Sequence, residues 1–132
     1  MPRRSPAAVR AARPRRDECA AVDGLSAATV REIRLCERRH LWPGAVARAL
    51  ADWRRLAHGP QRRLRPEVYR ADCLCCDAVE HRRILDTALT RLPARAAREL
   101  RSQVAALDDL FERRTLPDPA ADPALPWWQR RL

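Results

Sequence analysis

Residues 71–77 read ADCLCCD, so three of the chain's five cysteines, Cys73, Cys75 and Cys76, fall within four positions. Thiols at this density have three uses: metal ligation, redox chemistry, or the filling of apolar space. A structural zinc site takes four Cys or His, usually as two short pairs. Cys73 and Cys76 form one pair at C-x2-C spacing, and Cys36 and His40, at C-x3-H, are the candidates for the second. Zinc is the one cofactor suggested in this way. Three features weaken the pattern. No glycine flanks the 73–76 pair, Cys36 and His40 fall inside a helical segment, and Cys75 and His81 compete as ligands. Buried free thiols fit better, with Cys36, Cys73 and Cys76 filling core positions: on a helix Cys73 and Cys76 share a face and Cys75 points elsewhere. A thiol sensor based on Cys75–Cys76 needs an exposed pair. Thioredoxin-type chemistry needs a βαβ setting, and no strand pattern is present.

The remaining chemistry-bearing residues do not assemble into a catalytic motif. His40, His58 and His81 fall on separate segments, with no Ser, Cys or carboxylate tied to them at a recognisable spacing. With only three glycines there is no phosphate-cradling loop. Asp108–Asp109 reads as a solvated acidic pair on a helix. The chain is therefore read as non-enzymatic.

Charge is the stronger signal. The net charge is +10, and all 27 basic residues are arginine. Lysine and asparagine are both absent, a pattern expected of a GC-rich genome, so part of the arginine excess reflects composition. Its distribution is more telling. Arg3, Arg4, Arg10, Arg13, Arg15 and Arg16 lie in the first 16 residues without an acid, whereas residues 17–132 carry 21 Arg against 17 acids. Arg62, Arg63 and Arg65 form a second basic cluster between Pro60 and Pro66. Guanidinium matches phosphate geometry, and such segments bind nucleic acid in a salt-sensitive, largely sequence-independent way. The apolar-periodic segment from Val46 to Ala57, with Arg48, Arg54 and Arg55, is thinly furnished for a recognition helix.

The last residues, PWWQRRL, join Trp127 and Trp128 to Arg130 and Arg131. Two exposed indoles are costly in water, so they either fold back to close the bundle or dock a protein partner.

Four helices must position these groups. The first opens at Ser26, a good N-cap, and closes near His40. In the second, Val46, Ala49, Leu50, Trp53, Leu56 and Ala57 recur at steps of three and four, with Pro43 in the first turn and Gly59–Pro60 as the stop. The third starts from a capping box at Asp77–Glu80 and buries Ile84, Leu85, Ala88, Leu89 and Leu92. Pro93 separates it from the fourth, where Ala97, Leu100, Val104, Leu107 and Phe111 form a packed seam. Trp53 and Phe111 are the large core fillers.

The expected fold is all-α: a small four-helix bundle over residues 25–115, a disordered basic arm at 1–24, and an extended Pro/Trp-rich tail at 116–132 biased toward polyproline II by its prolines. No segment is long and apolar enough to span a membrane, and no apolar stretch follows the basic start, so a cytoplasmic location is expected. The functional expectation is an accessory protein touching nucleic acid, or a nucleic-acid-bound complex, through Arg-rich segments. The alternatives are a protein–protein adaptor using the helical face and the tryptophan tail, and a zinc-stabilised or thiol-based sensor.

Overall fold

A computed structural model describes residues 22–60 and 78–131. Its elements are α1 (Ala27–His40), α2 (Ala45–His58), α3 (Ala78–Arg91), α4 (Ala94–Arg114) and a short 3-10 turn, Trp127–Gln129. The all-α bundle expected from the apolar periodicity is present, with no strand among the described residues. The basic arm, the 61–65 cluster, the Asp77 cap and Cys73, Cys75 and Cys76 lie outside the described residues.

The predicted stripes are the core. Val46, Ala49, Leu50, Trp53 and Ala57 from α2 meet Ile84, Leu85, Ala88 and Leu92 from α3 and Ala97, Leu100, Val104, Leu107 and Phe111 from α4. Each large apolar side chain buried in this way stabilises the fold by about 1.5–3 kcal/mol. Trp53 and Phe111 are ring partners at 4.8 Å between centroids, tilted by 40°. Helix α1 closes the bundle with Thr29, Ile33, Cys36 and Glu37 turned inward.

Helix ends are held by charged side chains from other elements. Ser26 caps α1, its Oγ accepting from Thr29 N–H at 3.2 Å. Ser26 in turn donates through N and Oγ to the Glu99 carboxylate of α4, each at 3.0 Å. Glu37 reaches from α1 to the start of α2, where it accepts from Gly44 N–H (2.9 Å) and Val46 N–H (3.0 Å). At the far end of α2, Arg114 of α4 donates to the carbonyls of Ala57 and Gly59. Arg131 donates to the last carbonyls of α4, Glu112 O at 2.7 Å and Thr115 O at 2.9 Å. Carboxylates thus sit at helix starts and guanidiniums at helix ends, as the helix dipole favours.

Two local expectations change. Pro43 precedes α2 rather than entering its first turn. Gly44 occupies the N-cap with φ of +79°, a left-handed conformation that costs glycine little, and the helix begins at Ala45. The tail prolines also do not produce a polyproline stretch. Asp118-Pro119-Ala120-Ala121 and Asp122-Pro123-Ala124-Leu125 form two successive turns of the same kind. In each, the Asp carboxylate accepts from the N–H two residues on (2.9 Å in both) and the Asp carbonyl accepts from the N–H three residues on. An Asp before a Pro favours this geometry, because Pro presets the second turn position and Asp supplies the bridging acceptor. The chain is thereby reversed, and Pro117 pairs with Arg131 in an isolated antiparallel bridge.

Candidate functional site

Arginine meets tryptophan inside the bundle, and on its surface exposed arginines and an exposed tryptophan lie close together in sequence. The inner grouping is built on Asp108. Its Oδ1 accepts from Trp53 Nε1 (3.1 Å) and from Arg82 Nε (2.9 Å), and its Oδ2 accepts from Arg82 Nη2 (2.8 Å). Arg82 is 5% exposed. Its guanidinium lies 4.5 Å from the Trp128 ring centroid and 6.0 Å from that of Trp127. Trp127 meets Phe111 edge-on at 6.2 Å. The reading of Asp108 as a solvated carboxylate is corrected. It lies one helical step from Val104 and from Phe111, so the seam carries it inward, where two donors from α2 and α3 hold it. Asp109, the next residue, is exposed.

The tail completes this grouping. Trp128 is buried in the core and Trp127 packs against it, the fold-back arrangement rather than free indoles. Arg131 donates to Thr115 Oγ1 at 3.0 Å as well as to the α4 carbonyls, and Arg130 O accepts from Asp118 N–H. Arg82 Nη1, Trp128 Nε1 and Arg130 Nε are buried without a hydrogen-bond partner.

A buried carboxylate, Asp52, lies between Arg48 (3.5 Å), Arg55 (3.2 Å) and His81 Nδ1 (3.6 Å). Two of the three α2 arginines therefore pair with this carboxylate from the surface.

The outer grouping is on α1. Arg31, Arg34, Leu35 and Arg38 recur at three and four, which places them on one stripe, and Arg39 lies beside it. All five are exposed. Among the described residues, none of these four arginines forms an ion pair or hydrogen bond. The helix has only two acids, Glu32 and Glu37, and Glu37 faces inward to cap α2. Leu35 is 42% exposed, and Trp42, in the turn that follows, is 53% exposed. The nearby α2 N-terminus, a natural anion site, is already filled by the Glu37 carboxylate.

Of the four residues considered for zinc, Cys73 and Cys76 lie outside the described residues. Cys36 is a buried free thiol and His40 is exposed at the end of α1. Burial pushes the Cys36 thiol up, the Glu37 carboxylate adds to this, and Arg91 opposes it. A raised thiol pKa lowers the fraction of thiolate, the nucleophilic form. Among the described residues, no group of three or more His, Cys, Asp or Glu could hold a metal ion. No described helix is long and apolar enough to cross a membrane.

Comparison with protein-family models, with curated proteins and with solved structures gives no match.

Proposed function

We propose that this chain is a small, non-enzymatic, basic accessory protein that contacts the phosphate backbone of nucleic acid, alone or within a nucleic-acid-bound complex. The observation that carries this reading is the unpaired arginine face of α1. Elsewhere in the bundle some arginines meet acceptors: Asp52 engages Arg48 and Arg55, Asp108 engages Arg82, and backbone carbonyls engage Arg114 and Arg131. Arg54, Arg91, Arg95, Arg98, Arg101 and Arg113 are exposed without a hydrogen bond or ion pair among the described residues, and α1 differs from them in carrying four such arginines within nine residues. On α1, Arg31, Arg34, Arg38 and Arg39 leave their guanidiniums to solvent, with no partner among the described residues. A face of one sign raises the local concentration of polyanions and steers their approach. The arginines of residues 1–16 and 61–65 add to the positive charge of the chain. An adaptor role for the tryptophan tail has less support, since Trp128 is buried and Arg131 is bound to α4.

The test is fluorescence anisotropy with a random-sequence duplex over a salt series. Binding should weaken as salt rises. Replacing Arg31, Arg34, Arg38 and Arg39 together with Gln should flatten the log–log salt slope by about 0.9 for each phosphate no longer neutralised. Deleting residues 1–16 should flatten it further. No binding at low salt defeats the reading and leaves the adaptor. Binding with a slope indifferent to the α1 replacements moves the phosphate-binding surface away from α1.

A further inference from the structure

We infer that the α1 face is built for single-stranded nucleic acid, with Trp42 as the platform on which an unpaired base stacks. The inference rests on the proposed function and specifies its substrate class.

A face designed only for solubility, or only for duplex phosphates, has no use for large apolar groups. This one interrupts its arginines with Leu35 at 42% exposure and ends at Trp42 at 53% exposure. The indole is not part of the hydrophobic core. The other three tryptophans serve the core: Trp53 and Trp128 are buried in it, and Trp127 is packed against it. Trp42 contributes to the local turn through its backbone, its carbonyl accepting from Ala45 N–H at 3.1 Å. Its side chain is therefore presented to solvent from a turn anchored on both sides, by the end of α1 and by the Glu37-capped start of α2. Restricted backbone on either side lowers the ordering cost of using that ring as a contact.

Arginines along a groove or stripe to follow phosphates, joined to an exposed aromatic ring, are the elements of single-strand recognition. In a duplex the base faces are stacked on one another and closed to an indole. In a single strand each base offers a π-face, whatever its identity. Arg31, Arg34 and Arg38 occupy successive turns of the same stripe, and Trp42 follows Arg38 by four residues, two beyond the last residue of α1. A strand lying along α1 therefore meets phosphate partners first and the ring at one end. An acidic protein would satisfy the arginines equally, but would not require the ring's face.

The experiment compares a labelled oligodeoxythymidine of about 16 nucleotides, within the range of single-strand site sizes, with a duplex of equal length. The full chain and its Trp42→Leu variant are each measured over a salt series, and thermal melts establish that both are folded. The full chain should prefer the single strand. Trp42→Leu should weaken single-strand binding by about tenfold, within the range contributed by one base–aromatic stack. It should leave the salt slope and the duplex affinity unchanged, and it should remove the part of the fluorescence quenching that Trp42 contributes. If Trp42→Leu binds the single strand as tightly as the full chain, or if duplex is bound as well as single strand, the inference is overturned while phosphate binding by the arginines stands. If polyglutamate displaces the oligonucleotide at equal charge and Trp42→Leu has no effect, the inference is overturned in favour of an acidic-protein partner. Absence of binding to either nucleic acid at low salt overturns this inference and the proposed function together.

Discussion

The two Arg–Trp groupings use the same residue types to opposite ends. Inside, Arg82 is bound twice by Asp108 and lies over Trp128, with Trp53 as the third donor-bearing neighbour. Outside, Arg31, Arg34 and Arg38 precede Trp42 in sequence along α1 and have no acceptor among the described residues. What separates them is a carboxylate. Asp108 turns a buried guanidinium into a closed network, and α1 directs one of its own two acids, Glu37, to a neighbouring helix end. Residue type alone therefore says little about function. An arginine beside a tryptophan is architecture where an internal acceptor meets it, and is available for a ligand where none does.

The largest effect should come from removing that carboxylate. Asp108→Ala leaves the buried Arg82 charge unpaired and Trp53 Nε1 without its acceptor. A destabilisation of about 3–5 kcal/mol is expected, the usual penalty for breaking a buried pair from one side. The neighbouring Asp109→Ala should stay within about 0.5 kcal/mol, as exposed substitutions do. Combining Asp108→Leu with Arg82→Met should cost less than Asp108→Ala alone, because it removes both charges and retains volume. Urea denaturation of the three variants checks the order. Equal stability of Asp108→Ala and Asp109→Ala would break the distinction between an inner and an outer grouping.

The tail should come next. Trp128→Ala empties a core position and removes the ring beneath Arg82, for an expected destabilisation of about 3 kcal/mol. A chain ending at Leu116 should melt lower still, since it also lacks Arg131, which holds the final carbonyls of α4. An unchanged melting temperature would return Trp127 and Trp128 to the surface and restore partner docking as their role.

These long-range pairings mark the boundary of what the sequence discloses. The apolar stripes of α2, α3 and α4 are legible because their signal is local, steps of three and four within one helix. The Asp108 network is not, because its partners are distant: Trp53 lies 55 residues away and Arg82 lies 26 away. A signal is nonetheless present. Glu37 follows Ile33 by four, Asp52 follows Ala49 by three, Arg82 precedes Leu85 by three, and Asp108 follows Val104 by four. Each is a polar residue in register with an apolar stripe, and each is buried or half-buried with a partner from another element. A charged side chain at a seam position is better read as a member of a buried network than as a break in the pattern. The α1 face is the converse case. Its arginines are evident in the sequence, but that no acid among the described residues meets them is known only from the placement of those acids. The repeated Asp-Pro-Ala turns are also present in the letters, where the order Asp–Pro carries the signal and the number of prolines does not.

A smaller effect is expected from acid at the α1 start. Glu99 is held below the usual carboxylate range, chiefly by the Ser26 N–H and then by the Thr29 hydroxyl, with the Ser26 hydroxyl and Arg95 adding to this. A carboxyl lowered by folding contributes stability that is present above its unfolded pKa and is lost as pH falls through its folded one. Melting temperature should therefore drop on acidification more in the native chain than in Glu99→Gln, where the cap interaction no longer titrates. Parallel pH profiles for the two would show that the Ser26–Glu99 interaction does not tie α1 to α4 in solution.

The smallest effect on stability should accompany the largest effect on binding. Arg31, Arg34, Arg38 and Arg39 make no hydrogen bond or ion pair among the described residues, so replacing all four with Gln breaks none and exposes no core. Mutual repulsion along α1 is relieved, since like charges at i,i+4 destabilise a helix by a few tenths of a kcal/mol. Thermal melts should show a stability equal to that of the native chain, or higher by less than about 1 kcal/mol. A substantial destabilisation would mean that these guanidiniums are engaged internally after all, and the two groupings would then differ in degree rather than in kind. Unchanged or raised stability alongside a flattened salt slope would separate folding from binding on one helix, with the inward side of α1 serving the bundle and the outward side serving the ligand.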